Sequence, residues 1–129
     1  MNLYHGDCLE VMRSLPDASV DAVITDPPYG TTACKWDAVI PFAPMWEQLR
    51  RVAKPNAAIV LFASQPFTSA LVMSNVKEFR YQWVWAKNLK TGPLSAKIRP
   101  MGGHEDIVVF GRKMPAYNRQ CSPKTTKVS

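Results

Sequence analysis

The 129-residue chain carries 16 Lys and Arg against 10 Asp and Glu, for a formal net charge of +6, with 47% hydrophobic and 20% charged residues. That length suits one domain with a modest core, is small for a cofactor enzyme holding its own recognition region, and points to a small domain or a fragment. No apolar run approaches the length of a membrane span, and the first residues lack a basic stretch followed by an apolar one, which argues against membrane and secreted classes.

In chain order, Asn2 to His5 is a short strand candidate, and Gly6-Asp7 a turn into a helix from Cys8 to Leu15, closed by Pro16. Val20 to Thr25 reads as a strand buried on both sides, followed by a loop from Asp26 to Ile40 with the composition of a catalytic lid. Pro41 to Ala53 is a helix with Phe42, Met45, Trp46, Leu49 and Val52 on one face, stopped by Lys54-Pro55-Asn56. Ala57 to Ala63 is the clearest strand. Gln65 to Val76 reads as a second amphipathic helix with Pro66 in its first turn, and Tyr81 to Ala86 as an alternating strand. From Lys87 to Gly103 periodicity fades among basic residues, glycines and prolines; His104 to Phe110 returns to strand, and a basic polar tail, expected to be disordered or weakly held, follows from Gly111. The succession predicts an α/β fold, a parallel sheet with a late antiparallel addition, in a domain over residues 1–111 with a tail over 112–129.

Charge is unevenly spread. Residues 1–76 carry five Lys or Arg against seven Asp or Glu, whereas residues 77–129 carry eleven against three, so the halves stand at about −2 and +8. A polyanion partner would account for the basic half, since Lys and Arg supply most sequence-independent affinity for nucleic acid; a solvated basic surface is the bland alternative. Lys87, Lys90, Lys97 and Arg99 are the candidate phosphate contacts. Cys8, Cys34 and Cys121 are odd in number and fall in no metal-ligand spacing, so reduced thiols, a cytoplasmic protein and no metal are expected.

One stretch names a chemistry. Asp26-Pro27-Pro28-Tyr29 follows the Val20–Thr25 strand directly, at the carboxyl end where open α/β sheets place ligands. The prolines have fixed φ and no N–H, so the chain cannot continue a ladder there and its carbonyls are free. Asp26 and the Pro27 carbonyl can accept both hydrogens of an exocyclic amine while Tyr29 lies against the face of a planar base. Read alone, such a tetrapeptide is usually only a rigid turn.

Asp26-Pro27-Pro28-Tyr29 after Val20-Asp21-Ala22-Val23-Ile24-Thr25 resembles the catalytic motif of the amino-directed DNA methyltransferases, which methylate adenine N6 or cytosine N4. The resemblance extends to His5-Gly6-Asp7-Cys8-Leu9-Glu10, to Leu15 through Asp21, to Lys54-Pro55-Asn56 and to His104 through Phe110, in the order of the permuted group whose catalytic motif comes first. It implies a Rossmann-like sheet, S-adenosylmethionine as cofactor, DNA as partner and adenine N6 as the favoured target. It also implies catalytic roles for Asp26, Pro27, Pro28 and Tyr29, and cofactor contacts at Asp7, Cys8 and Asp26. Relatives continue with a His-Pro-Thr-Gln-Lys-Pro stretch and a glycine-rich cofactor loop that this sequence lacks, so it resembles the N-terminal half only. An incomplete sheet with an unpaired edge and a bare apolar face is expected, together with self-association or a complementing chain. The alternative is a catalytically silent remnant that at most binds DNA.

Several residues carry two readings. Asp7 can cap the helix after it, Trp36 and Asp37 can border a target base or, for Trp36, anchor the core, and Ser64 and Gln65 can form a second wall of the pocket. Phe67, Trp83 and Trp85 read as core, and His104 as packed or capping.

Overall fold

Helix α1, Cys8–Ser14, opens the fold in the computed structural model, which describes residues 1–121. Asp7 caps it, its Oδ1 accepting from the amides of Leu9 at 2.9 Å and Glu10 at 3.3 Å. Strand β1, Val20–Thr25, helix α2, Phe42–Val52, strand β2, Ala53–Ala63, helix α3, Phe67–Ser74, strand β3, Phe79–Thr91, and strand β4, Gly102–Phe110, follow. The four strands form one sheet in the order β1-β2-β4-β3; β1 and β2 are parallel, and β4 is antiparallel to both β2 and β3. The parallel part is thus a single strand pair.

Several expectations change. Asn2–His5 is exposed and forms no strand, because no neighbouring strand lies beside it to take its hydrogen bonds. Val20–Thr25 has the predicted bounds but sits at an edge of the sheet, not inside it, and its Ile24 is 73% exposed. Strand β3 is 13 residues long, from Phe79 opposite Phe110 to Thr91 opposite Gly102, and so enters the segment read as irregular, although its register is broken there between Ala86 and Thr91. Strand β2 starts at Ala53, but its regular ladder begins where Ala22 meets Ala58; Pro55 and Asn56 lie in the bulge before it, where a missing N–H costs no ladder bond.

All three helices cover the same face of the sheet. Met45, Trp46 and Leu49 of α2 and Phe67 and Leu71 of α3 bury Ile59, Leu61, Val108 and Phe110, with Leu9 and Met12 of α1 packed at the margin. Trp46 lies 4.7 Å from the Phe110 ring and donates its indole N–H to Ser74 Oγ at 2.8 Å, so the one polar group of that ring stays satisfied in the core. Cross-strand register puts Ile24, Val60, Phe62, Ile107, Trp83 and Trp85 together on the opposite face. No helix among the described residues packs there, and both tryptophans are 48% exposed, contrary to their core reading. Their alternation was legible; what would cover them was not.

Arginines hold the segment ends. Arg51 of α2 donates to the carbonyls of Met12 at 2.6 Å and Leu15 at 2.8 Å and to Asp17 at 2.6 Å, adding donors where α1 stops, Met12 also accepting from the Leu15 amide at 3.0 Å. Arg80 donates to the carbonyls of Gly111 and Arg112, and Arg112 to those of Arg50 and Ala53. Tyr117 lies 6.1 Å from both Tyr81 and Trp83. The first part of the sequence read as a loose basic tail is therefore docked; residues 122–129 of it lie outside the described residues. Part of the basic excess serves backbone carbonyls instead of a polyanion.

Replacing Arg51 with Met removes the side-chain donor of the Leu15 carbonyl and the ties from α2 to Met12 and Asp17, and is expected to destabilise the fold by about 1–3 kcal/mol in urea unfolding. Lys54→Met, which removes only an exposed pair with Asp21, is expected to stay within about 0.5 kcal/mol.

Candidate functional site

Because β1 and β2 are parallel, both deliver their carboxyl ends to one side of the sheet, Asp26 from β1 and Ser64 from β2. Pro27 and Pro28 end the β1 ladder, and the chain turns into a loop whose amides need acceptors. Asp37 supplies them. Its Oδ1 accepts from the amides of Tyr29 at 3.0 Å and Gly30 at 3.2 Å, and its Oδ2 from Thr32 at 2.7 Å. Gly30 adopts φ +69°, and a Cβ there would meet Val39 Cγ2 at 2.6 Å, so only glycine fits the turn. Asp37 is 6% exposed, and hydrogen bonds from Thr32, with those from Gly30 and Tyr29, hold its carboxyl below the usual carboxylate range against the opposing effect of burial.

This loop aims Tyr29. Its ring stacks on Phe67 with centroids 5.2 Å apart and planes 24° from parallel, and its hydroxyl donates to Asp26 Oδ1 at 2.8 Å. Burial, then the bond to Asp26, raises the Tyr29 hydroxyl above its ordinary value, so it stays a donor at any physiological pH. Asp26, Pro27, Pro28, Tyr29, Thr31, Thr32, Trp36 and Asp37 line an open cavity of about 350 Å³. Trp36 is 76% exposed at its rim and is no core anchor. A cavity of this lining offers acceptors and an aromatic ring to a flat molecule bearing an amine.

A smaller cavity of about 130 Å³ shares Pro27 with the first and is walled by Cys8, Met12, Val23, Thr25, Ile40, Met45, Leu49 and Leu61. The Cys8 thiol there is raised by burial and by the neighbouring Asp7 carboxylate, so it is a protonated, apolar wall and not a nucleophile. Asp7 itself is exposed at the α1 cap. Thus Asp26, Pro27, Pro28 and Tyr29 line one cavity, and Cys8 lines a second that shares Pro27 with it.

The four basic candidates separate. Lys87 is paired with Glu105 and lies 5.5 Å from the centre of the Trp85 ring. Arg99 faces a hollow formed with Ser64 and Gln65. Lys90 and Lys97 are exposed. His104 Nε2 is 3.7 Å from Asp106 Oδ1, whose other oxygen accepts from buried Thr68 at 2.7 Å; His104 itself is exposed and is not the packed residue expected. Two residues central to the geometry were undervalued in the sequence. Phe67 reads as core, which it is, yet it also backs Tyr29, and Asp37 serves as loop organiser through contacts five to eight positions away that follow no local pattern.

Comparison with known proteins bears on the family and the fold. The profile of the RMKL-like methyltransferase domain family matches residues 3–91. The type II methyltransferase M.BamHI of Bacillus amyloliquefaciens is 26% identical over 137 residues, which cover 96% of this chain and 32% of that protein. Among solved structures, the PvuII DNA methyltransferase (cytosine-N4-specific) is similar with a TM-score of 0.69 at 19% identity, over 87% of this chain and 49% of that one. The M1.HpyAVI–SAM complex is similar with a TM-score of 0.66 at 23% identity, over 96% of this chain and 62% of that one. These structural likenesses show a Rossmann-like α/β methyltransferase fold, of which the four strands here are part. The chain spans about a third of the curated relative and half to three-fifths of the solved structures.

Since the folded Asp37 carboxyl is depressed, its contribution is present above the unfolded value of about 4 and is lost as pH falls through the folded one. Hydrogen exchange at the Tyr29, Gly30 and Thr32 amides is expected to stay slow down to that range and to accelerate together below it. An Asp37→Asn variant is expected to exchange faster at neutral pH and to lose the acid step.

Proposed function

Because the chain belongs to the RMKL-like methyltransferase domain family, we propose that Asp26–Tyr29 form the target pocket of an enzyme that moves a methyl group from S-adenosylmethionine to the exocyclic amine of a DNA base, adenine N6 favoured. The observation that carries this reading is the pinned Tyr29, stacked on Phe67 and bonded to Asp26 in an open cavity at the end of a strand. The preference for adenine rests on the Asp that begins the motif, and the sugar-phosphate backbone of DNA is matched to the basic second half of the chain.

The residues fit one flank of the cofactor. An exposed carboxylate at Asp26 suits a sulfonium cation, and the hollow walled by Cys8 and Met12 beside Pro27 suits apolar parts of the molecule, with Asp7 next to Cys8 in the chain. When bound, S-adenosylmethionine supplies an already activated methyl group. The protein's part lies on the other reactant. The amine of adenine or cytosine is a poor nucleophile because its lone pair is delocalised into the ring. Asp26 and the Pro27 carbonyl accept its two hydrogens and favour a pyramidal nitrogen with the lone pair freed. Pro28 keeps that turn rigid, and Asp26 takes up the proton released. The base must leave the duplex to reach this pocket, and the ring of Tyr29 receives it on the side away from Phe67. Lys87, Lys90, Lys97 and Arg99 lie in the segment proposed to meet the DNA backbone.

Transfer of labelled methyl groups to unmodified DNA, with N6-methyladenine and N4-methylcytosine resolved in the digest, tests the reading. Asp26→Ala is expected to abolish transfer. Tyr29→Phe, which keeps the ring and loses the bond to Asp26, is expected to lower it about tenfold, the rate equivalent of roughly 1.4 kcal/mol. Absence of both transfer and calorimetric S-adenosylmethionine binding at millimolar concentration would instead favour the silent, DNA-binding remnant.

Assembly forms a second part of the proposal. A sheet with Ile24, Phe62, Trp83 and Trp85 on a face without helices, and with one edge of β1 unpaired, is a surface for a second copy or a complementing chain. Light scattering is expected to give a mass above that of the monomer, rising with concentration. Ile24→Lys is expected to shift it toward the monomer without lowering the midpoint of unfolding.

A further inference from the structure

The end of the sheet that carries Asp26 also carries a second hollow. Ser64 and Gln65 leave β2 there, and β4, running the opposite way, begins there at Gly102. Together with Thr91, Gly92, Arg99 and Pro100 they enclose a cavity of about 290 Å³. It lies over β2 and β4, the strands that follow β1 in the sheet, where neighbouring strands stand about 5 Å apart.

Its chemistry is the reverse of its neighbour's. The Asp26 pocket is lined by two carboxylates, Asp26 and Asp37, whereas no Asp or Glu lines this one. Arg99 contributes a guanidinium that forms no ion pair among the described residues. The Gln65 Oε1 already accepts from the amide and hydroxyl of Ser69, at 3.2 and 2.8 Å, which leaves its NH2 group as the free end. The hydroxyls of Ser64 and Thr91 add two further donors. Gly102 keeps the floor open, because a Cβ there would come within 2.9 Å of Thr91 Oγ1. Gly92, at φ +83° with nothing within 4 Å of a Cβ position, gives the turn that carries the chain from β3 toward Arg99.

We infer that this hollow seats a phosphodiester of the strand bearing the target base, gripped in bidentate fashion by Arg99 with Gln65 donating beside it. An Arg fork matches two phosphate oxygens, and the surrounding neutral donors complete the shell without a competing anion. The inference rests on the DNA reading above and sharpens it: of the four basic candidates, Arg99 contacts a phosphate adjoining the flipped nucleotide, while Lys87 is neutralised by Glu105.

The test is the salt dependence of binding to a labelled duplex, followed by fluorescence anisotropy on the full chain. Arg99→Gln is expected to reduce the log–log salt slope by about 0.9, one phosphate contact, and to weaken two unrelated duplexes equally. Gln65→Glu, which keeps the acceptor for Ser69 and places a carboxylate in the hollow, is expected to weaken binding to a similar degree, while Lys77→Gln, on the exposed turn before β3, serves as the charge-matched control with a smaller effect. Duplex binding with an unchanged slope in Arg99→Gln overturns the subsite and leaves the DNA reading standing. Absence of duplex binding by the unmodified protein overturns both. Inorganic phosphate that shifts the Gln65 and Gly92 amide resonances, with the duplex slope unaffected by Arg99→Gln, assigns the hollow to a free anion and likewise overturns the inference.

Discussion

Three backbone amides after β1, those of Tyr29, Gly30 and Thr32, have left the sheet and have no ladder to join, and all three converge on the carboxylate of Asp37. An unpaired amide in this half-buried turn would be costly, so the loop can close only around that acceptor. Everything distinctive about the site follows from the closure. The left-handed Gly30 is set by it, Tyr29 is delivered onto Phe67, and the Tyr29 hydroxyl reaches Asp26. The motif Asp26–Tyr29 supplies the groups proposed to react, but their arrangement is imposed from a position further along the chain.

Local features were readable from the residues. Val20–Thr25 carries the bounds its apolar run indicates, and Asp7, followed by Leu9 and Glu10, caps α1 as its residue type favours. The apolar face of Phe42–Val52 is the one that meets the sheet. What could not be read depends on partners distant in sequence. An apolar strand does not declare whether it has one neighbour or two, so β1 was expected inside the sheet. Alternation shows that Trp83 and Trp85 share a face but not what lies over it. The charge of Arg51, Arg80 and Arg112 reads as surface until the carbonyls they serve, up to 62 positions away, are in place.

The sheet is unequal on its two sides, and this bears on how the family resemblance is understood. A parallel pair at the centre of an α/β fold is normally covered on both faces. Here the helices take one face, the other bears aromatic and branched residues, and the free edge of β1 adjoins the proposed target pocket. The solved methyltransferases similar to this chain extend well beyond the part it matches, by 51% and 38% of their lengths.

The bond between Tyr29 and Asp26 has a further consequence under the proposed chemistry. Before any ligand arrives, one oxygen of the reacting carboxylate is already engaged by a hydroxyl that remains protonated at physiological pH. An entering amine meets a carboxylate whose Oδ2 is engaged by no group among the described residues, so it can add a second donor there without displacing the hydroxyl. Under that chemistry, recognition of the amine and the hold on the aromatic ring run through the two oxygens of one side chain.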